Sequence, residues 1–167
     1  RITAEGWSER FHAEASAVRV PIDWLGVNYY TRSVVRDDPE AWLARAARLR
    51  QQGGVHTETD WEVYPDGLGE VLRWVRDRYG ALPLYVTENG PAFPDPPIAG
   101  DGGVEDPLRV AYLRDHLRAV AAAIADGVDV RGYFAWSLLD NLEWAHGFTK
   151  RFGIVHVDFA SLRRTVK

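Results

Sequence analysis

The chain has 167 residues, 46% hydrophobic and 26% charged, with 24 acidic and 20 basic side chains for a formal charge of −4. That balance belongs to a soluble globular domain, and no apolar run reaches the roughly 20 residues that a membrane-spanning helix needs. The charges are spread along the whole length without a basic stripe, which argues against nucleic acid as a partner. The absence of cysteine excludes disulfides, thiolate metal sites and a cysteine nucleophile, and it fits a cytoplasmic enzyme.

The first strand-like run is Asp23 to Tyr30, rich in aromatic and aliphatic residues. A long connection follows from Arg32 to Asp66, within which Asp38-Pro39-Glu40 is expected to cap a helix through Ala41 to Gln52. Leu68 to Tyr79 then places Leu68, Val71, Leu72, Val75 and Tyr79 at helical spacing, with Gly80 as its stop. Leu84 to Thr87 is a short buried-type strand, and Gly90 to Glu105 is a Gly/Pro-rich loop. Asp106 is a good N-cap and Pro107 suits a first turn, so a second helix is predicted to bury Val110, Leu113, Leu117, Val120 and Ile124 before Gly127. Val130 to Trp136 is the third strand. Helices alternating with strands predict an α/β fold with a parallel sheet.

Two stretches carry candidate chemistry. Leu84-Tyr85-Val86-Thr87-Glu88-Asn89-Gly90 sets a carboxylate where a buried strand ends, the catalytic edge of a parallel barrel. Trp136-Ser137-Leu138-Leu139-Asp140-Asn141-Leu142-Glu143-Trp144 starts at the end of the third strand and carries two indoles around a carboxylate. Sugars present apolar C–H faces and rings of hydroxyls, so a sugar site needs flat aromatic platforms beside carboxylate acceptors. Taken singly, Glu88 reads equally as a solvated loop residue, Glu143 as a helix-start carboxylate and each Trp as core. The five histidines, at 12, 56, 116, 146 and 156, are scattered without ligand spacing, and Asp101-Gly102-Gly103 lacks any nucleotide pattern, so neither metal nor cofactor is expected.

Together these motifs resemble the glycoside hydrolase family 1 β-glucosidases, over most of the chain. The resemblance implies that Glu88 is the nucleophile of a retaining β-glycosidase, and that Tyr30 in Asp23-Trp24-Leu25-Gly26-Val27-Asn28-Tyr29-Tyr30 hydrogen-bonds it, with Asn28 in the same pocket. It also implies Trp136 under the sugar ring, Glu143 on the 4- and 6-hydroxyls, Trp144 near the 3-hydroxyl, Phe152 near C6 and Trp61 on the aglycone side. The retained Glu143 points to a neutral rather than a 6-phosphorylated sugar, because an anion there would repel phosphate.

By the same resemblance, residues 1–167 form a single partial domain, about strands six to eight of a (β/α)8 TIM barrel that usually needs about 250 residues. The family's acid/base sits in an upstream Asn-Glu-Pro motif, and no Asn-Glu-Pro occurs in this chain. With no methionine and Arg1 at its start, the chain is expected to lack its natural N-terminus. The expected partners are therefore a β-linked glycoside and the missing N-terminal part of the same barrel. The alternative is a non-catalytic sugar-binding remnant that keeps the aromatic platforms without the acid.

Overall fold

The computed structural model describes residues 20–41, 45–98, 100 and 102–167, together with Ala17. In chain order the elements are β1 (Leu25–Asn28), β2 (Val35–Asp37), β3 (Ala46–Arg48), α1 (Pro65–Tyr79), β4 (Leu84–Asn89), α2 (Pro107–Ala125), β5 (Val130–Ala135), a 3-10 turn at Trp144–His146, β6 (Val155–Val157) and β7 (Arg164–Val166). They fall into two compact units, Arg1–Asp23 with Ser33–Arg50, and Trp24–Arg32 with Gln51–Lys167. Among the described residues no helix is long and apolar enough to cross a membrane.

In the smaller unit β2 and β3 pair antiparallel, which corrects the helix expected from Ala41 to Gln52. Residues 42–44 of that span lie outside the described residues. Asp38 builds a turn here instead of capping a helix. Its carboxylate accepts from the Glu40 N–H, its carbonyl from the Ala41 N–H, and its own N–H donates to the Arg45 carbonyl. The turn closes with Arg45 at φ 50°, a left-handed conformation that a helix interior cannot contain.

The larger unit is built on a parallel sheet in the order β1-β4-β5, with α1 and α2 as the two crossovers. Alternation sends Leu25 and Val27, and Leu84 and Val86, toward the helices, and a register shift in β5 between Val130 and Gly132 brings Val130 and Tyr133 to the same side. There they pack on Leu68, Leu72 and Val75 of α1 and on Val120 and Ala123 of α2, all buried. Each such aliphatic side chain contributes about 1.5–3 kcal/mol of burial.

The first helix starts at Pro65, three residues earlier than its apolar spacing predicts, because proline lacks the N–H that a first turn would leave unpaired. A β-carbon at Gly67 would fall on the Tyr29 hydroxyl, so glycine is what lets this turn lie against the end of β1. Tyr79, expected in the core, is exposed, its ring edge-on to Trp74.

In α2 the predicted cap is present, the Asp106 carboxylate accepting the Arg109 N–H at 3.1 Å. Of the predicted apolar face, Val120 is buried and Leu113 half-buried. Val110, Leu117 and Ile124 are exposed, and the inward face is Arg109, Tyr112, His116, Val120 and Ala123. Each of the inward polar side chains has at least one partner: Arg109 on Asp106, Tyr112 on Asn89, and His116 Nδ1 on the Tyr112 carbonyl, while His116 Nε2 has none among the described residues.

The sheet's other face carries Trp24, Tyr85, Thr87, Phe134, Trp136 and Leu138 around an apolar hollow of about 620 Å³. Trp24, Phe134 and Leu138 keep 52%, 57% and 64% of their surface in solvent. Beyond β5 the chain folds back as the antiparallel β6–β7 hairpin.

Candidate active site

Glu88 owes its direction to an irregularity in β4. Val27 pairs with Val86, but the next pair is Asn28 with Glu88. On the other side Val86 pairs with Tyr133 and the next pair is Asn89 with Ala135. One extra residue is thus held between both neighbours at Thr87–Glu88, a bulge that re-aims the side chains after it. Strict alternation from Val86 would send Glu88 under the helices and Asn89 to the open side. Instead Asn89 is fully buried against Tyr112 of α2, and Glu88 enters a cup of about 380 Å³.

The cup is lined by Tyr30, Trp61, Glu88, Trp136, Glu143, Trp144 and Phe152. The fold therefore gathers every residue expected in the site except Asn28. That side chain stands on the neighbouring strand, exposed, its Oδ1 accepting the Thr87 hydroxyl at 2.6 Å.

Tyr29 and Tyr30 divide by face at the end of β1. Tyr29 is buried and donates to the Tyr64 carbonyl at 2.7 Å, and Tyr30 donates to Glu88 Oε2, also at 2.7 Å. Burial first, and then that bond to Glu88, push the Tyr30 hydroxyl far above its ordinary range, so it remains a proton donor. Around the pair the rings of Tyr30, Trp61 and Phe152 lie 5.2–6.3 Å apart, tilted or edge-on. A β-carbon at Gly90 would land on the Trp136 carbonyl oxygen. Glycine there allows the ends of β4 and β5 to close until Glu88 and Trp136 share one wall.

Glu143 and Trp144 come from the loop after β5, which the chain enters through a cis Trp136–Ser137 peptide. Trp144 is 87% exposed, an indole on the rim rather than in a core. Behind the cup, Asp140 anchors this loop. Its fully buried carboxylate accepts from Arg151 at 2.8 Å, Lys167 at 3.0 Å and the N–H groups of Gly153 and Val157. Burial alone would raise the Asp140 pKa, but the bonds from Arg151 and Lys167 outweigh it and leave the group below the usual carboxylate range. Arg109 extends the anchor, donating to the carbonyls of Phe93 and Arg151, so the residues flanking Phe152 are fixed from beneath.

Asp95, Asp140 and His156 offer ligand atoms within 4.8 Å of one another, a spacing that could suit a metal. The Lys167 ammonium stands between the two carboxylates, 2.6 Å from Asp95 and 3.0 Å from Asp140, and supplies the positive charge itself. Sequence reasoning passed over Asn89, Tyr112 and this buried ion network. Asn89 lay inside a quoted motif, whereas Tyr112 and Arg109 interleave with an apolar stripe that masks them.

The family model described as Glycosyl hydrolase family 1 matches residues 2–167. A bifunctional β-D-glucosidase/β-D-fucosidase of Bifidobacterium breve is 45% identical over 96% of this chain and 38% of its own length. β-Glucosidase A of Thermotoga maritima is 40% identical over 95% of this chain and 35% of its own. Among solved structures, a family 1 β-glucosidase from Thermotoga maritima superposes with a TM-score of 0.90 at 40% identity, over 99% of this chain and 37% of that one. A structure described as the Thermotoga maritima enzyme in complex with deoxynojirimycin gives the same TM-score. The chain thus spans between a third and two-fifths of the length of these relatives.

Proposed function

We propose, on the premise that this chain belongs to glycosyl hydrolase family 1, that it forms strands six to eight of a (β/α)8 barrel and supplies the nucleophile and part of the sugar pocket of a retaining β-glycosidase. In this reading β1, β4 and β5 are those three strands. The remaining strands, supplied by the upstream part of such a barrel, cover the apolar hollow lined by Trp24, Phe134 and Leu138.

The observation that carries the chemistry is the Tyr30–Glu88 bond, set in a cup that also holds Glu143 and four further aromatic rings. Glu88 Oε attacks the anomeric carbon of a β-linked sugar, the glycosidic C–O bond breaks, and the leaving oxygen takes a proton from an acid provided by the rest of the barrel. That acid's conjugate base then draws a proton from water, whose oxygen displaces Glu88 and restores the β configuration. Tyr30 fixes the direction of one carboxylate oxygen by donating to it. Trp136 stacks on the sugar face, and Glu143 accepts two hydroxyls as charge-assisted bonds.

The test is covalent trapping. In the chain joined to the upstream part of a family 1 barrel, 2,4-dinitrophenyl 2-deoxy-2-fluoro-β-glucoside should add one fluoroglucosyl ester, because the fluorine slows both steps and the activated leaving group rescues only the first. Peptide mapping should find the ester on Glu88. An ester on Glu143, or none with an intact fold, would sink the assignment.

A further inference from the structure

Tyr112 lies on α2, on the helix-covered side of the sheet, and is 2% exposed. Its hydroxyl stands in a chain of hydrogen bonds whose direction is fixed by chemistry. The Tyr133 hydroxyl donates to Asn89 Oδ1 at 2.6 Å, and Asn89 Nδ2 donates to the Tyr29 carbonyl at 2.7 Å and to Tyr112 Oη at 3.1 Å. A phenol has one proton, and Tyr112 gives its own to the Tyr30 carbonyl at 3.2 Å. Three strands' ends are thereby tied to one helix: Tyr133 from β5, Asn89 from β4, and the Tyr29–Tyr30 backbone just past β1.

Tyr30 requires such a tie because the ladder has already ended. The last paired residue of β1 is Asn28, and one further backbone bond, the Tyr29 N–H to the Glu88 carbonyl at 3.0 Å, follows it. Beyond that point the Tyr30 main chain is held by a side chain from α2. The same residue's phenol reaches Glu88 Oε2, so a shift of its backbone is carried straight to the carboxylate. Tyr112 is itself fixed, with the His116 ring stacked on it at 3.9 Å between centroids and 23° between planes. The bulge in β4 completes the arrangement, since it turns Asn89 toward Tyr112 and Glu88 away from it in two consecutive residues.

We infer that Tyr112, acting through the Tyr30 carbonyl and braced by Asn89, is a positioning residue that holds the Tyr30 hydroxyl on Glu88. The inference rests on the reading of Glu88 as nucleophile for its catalytic consequence, but the hydrogen bond it governs can be measured without catalysis.

The first measurement uses the chain itself, with tyrosines carbon-13 labelled at Cζ. The movement of the Tyr30 resonance, assigned with Tyr30→Phe, between the parent chain and Glu88→Gln reports the bond from its hydroxyl to the carboxylate. In Tyr112→Phe that movement should shrink by about half or more, because the tie on Tyr30 is lost. Tyr133→Phe, which breaks the same chain at its far end, should act in the same direction if Tyr112→Phe does not fold. A full movement in either folded variant overturns the inference.

The second measurement is the rate of covalent trapping in the completed barrel. Tyr112→Phe should slow the bond-forming step about tenfold with the inactivator's binding constant unchanged, yet less than about twofold when Tyr30 is already Phe. Equal losses in both backgrounds would mean that Tyr112 does not act through Tyr30. A parent barrel that forms no ester on Glu88 refutes the nucleophile reading instead, and the Cζ resonance then decides the positioning role alone.

Discussion

The two faces of the β1–β4–β5 sheet are built from the same strands and are finished differently. Under α1 and α2, Leu68, Leu72, Leu84 and Val86 have no exposed surface, while on the other face Trp24, Phe134 and Leu138 keep more than half of theirs. Apolar residues on both sides of a parallel strand mark a sheet meant to be covered twice. Among the described residues the chain provides one cover. Stability should therefore reside on the helix side, whereas chemistry depends on the open side and on what is laid over it.

The largest effect should separate the two faces most clearly. Glu88→Ala in a completed barrel should lower turnover by at least about 10⁴-fold while leaving the unfolding midpoint in place, since it removes the attacking group and no core contact. Added azide should restore part of the turnover and give the α-glycosyl azide, identified by its proton coupling. A β-configured azide would place the nucleophile elsewhere.

On the helix side, Leu72→Ala should cost about 2–5 kcal/mol in urea unfolding of the chain, because a side chain with no exposed surface leaves a cavity among neighbours that cannot close over it. A cost under about 1 kcal/mol would mean that this face is not the stability core. Glu143→Ser comes next. It should reduce kcat/KM on a neutral β-glucoside by at least about 10- to 150-fold, the roughly 1.5–3 kcal/mol of one of its two charge-assisted bonds. Unfolding free energy should not change, because Glu143 belongs to the cup.

A smaller effect concerns pH. Burial, partly opposed by the bond to the Tyr112 carbonyl, lowers the pKa of His116 from its ordinary 6.5. The unfolded chain then takes up the proton first, so this group's effect is to reduce stability as pH falls below 6.5 toward the folded-state value. His116→Phe should flatten that part of the stability curve. Asp140, whose folded pKa is depressed below 3.8, contributes stability that is present above that value and lost as pH falls through the depressed one. The histidine's loss begins below 6.5 and that of Asp140 below 3.8, and an unchanged slope in His116→Phe would contradict the histidine's part. The smallest effect belongs to the open face. Phe134→Ser in the isolated chain should change stability by no more than about 0.5 kcal/mol, yet the same change should weaken association with the upstream barrel part in a pull-down titration.

Most of the cup was legible because its residues sit in compact motifs at strand ends. Glu88 follows Leu84-Tyr85-Val86-Thr87 directly, and Trp136 and Glu143 share one loop, so local order sufficed to bring them together. What failed was inference about faces. The stripe Val110, Leu117 and Ile124 is apolar but exposed, since periodicity shows that a helix has sides without showing which side meets the sheet. Tyr112 and Arg109 turn inward onto groups distant in sequence, Asn89 and the Tyr30 carbonyl for the one and the Phe93 and Arg151 carbonyls for the other, and such pairing has no local signature. The segment around Ala46 has good helix formers, yet the Asp38 turn and pairing with β2 prevail there over propensity.

The bulge at Thr87–Glu88 makes β4 a strand on which counting matters more than chemistry. Substitutions at Thr87 should act locally, through the hydroxyl that meets Asn28. Deleting one residue there would instead let the ladder run true and exchange the places of everything downstream: the carboxylate would lie under α2 against Tyr112, and the carboxamide would face the cup. The length of this six-residue strand, as much as the identity of its residues, therefore keeps the glutamate on the side of the cup.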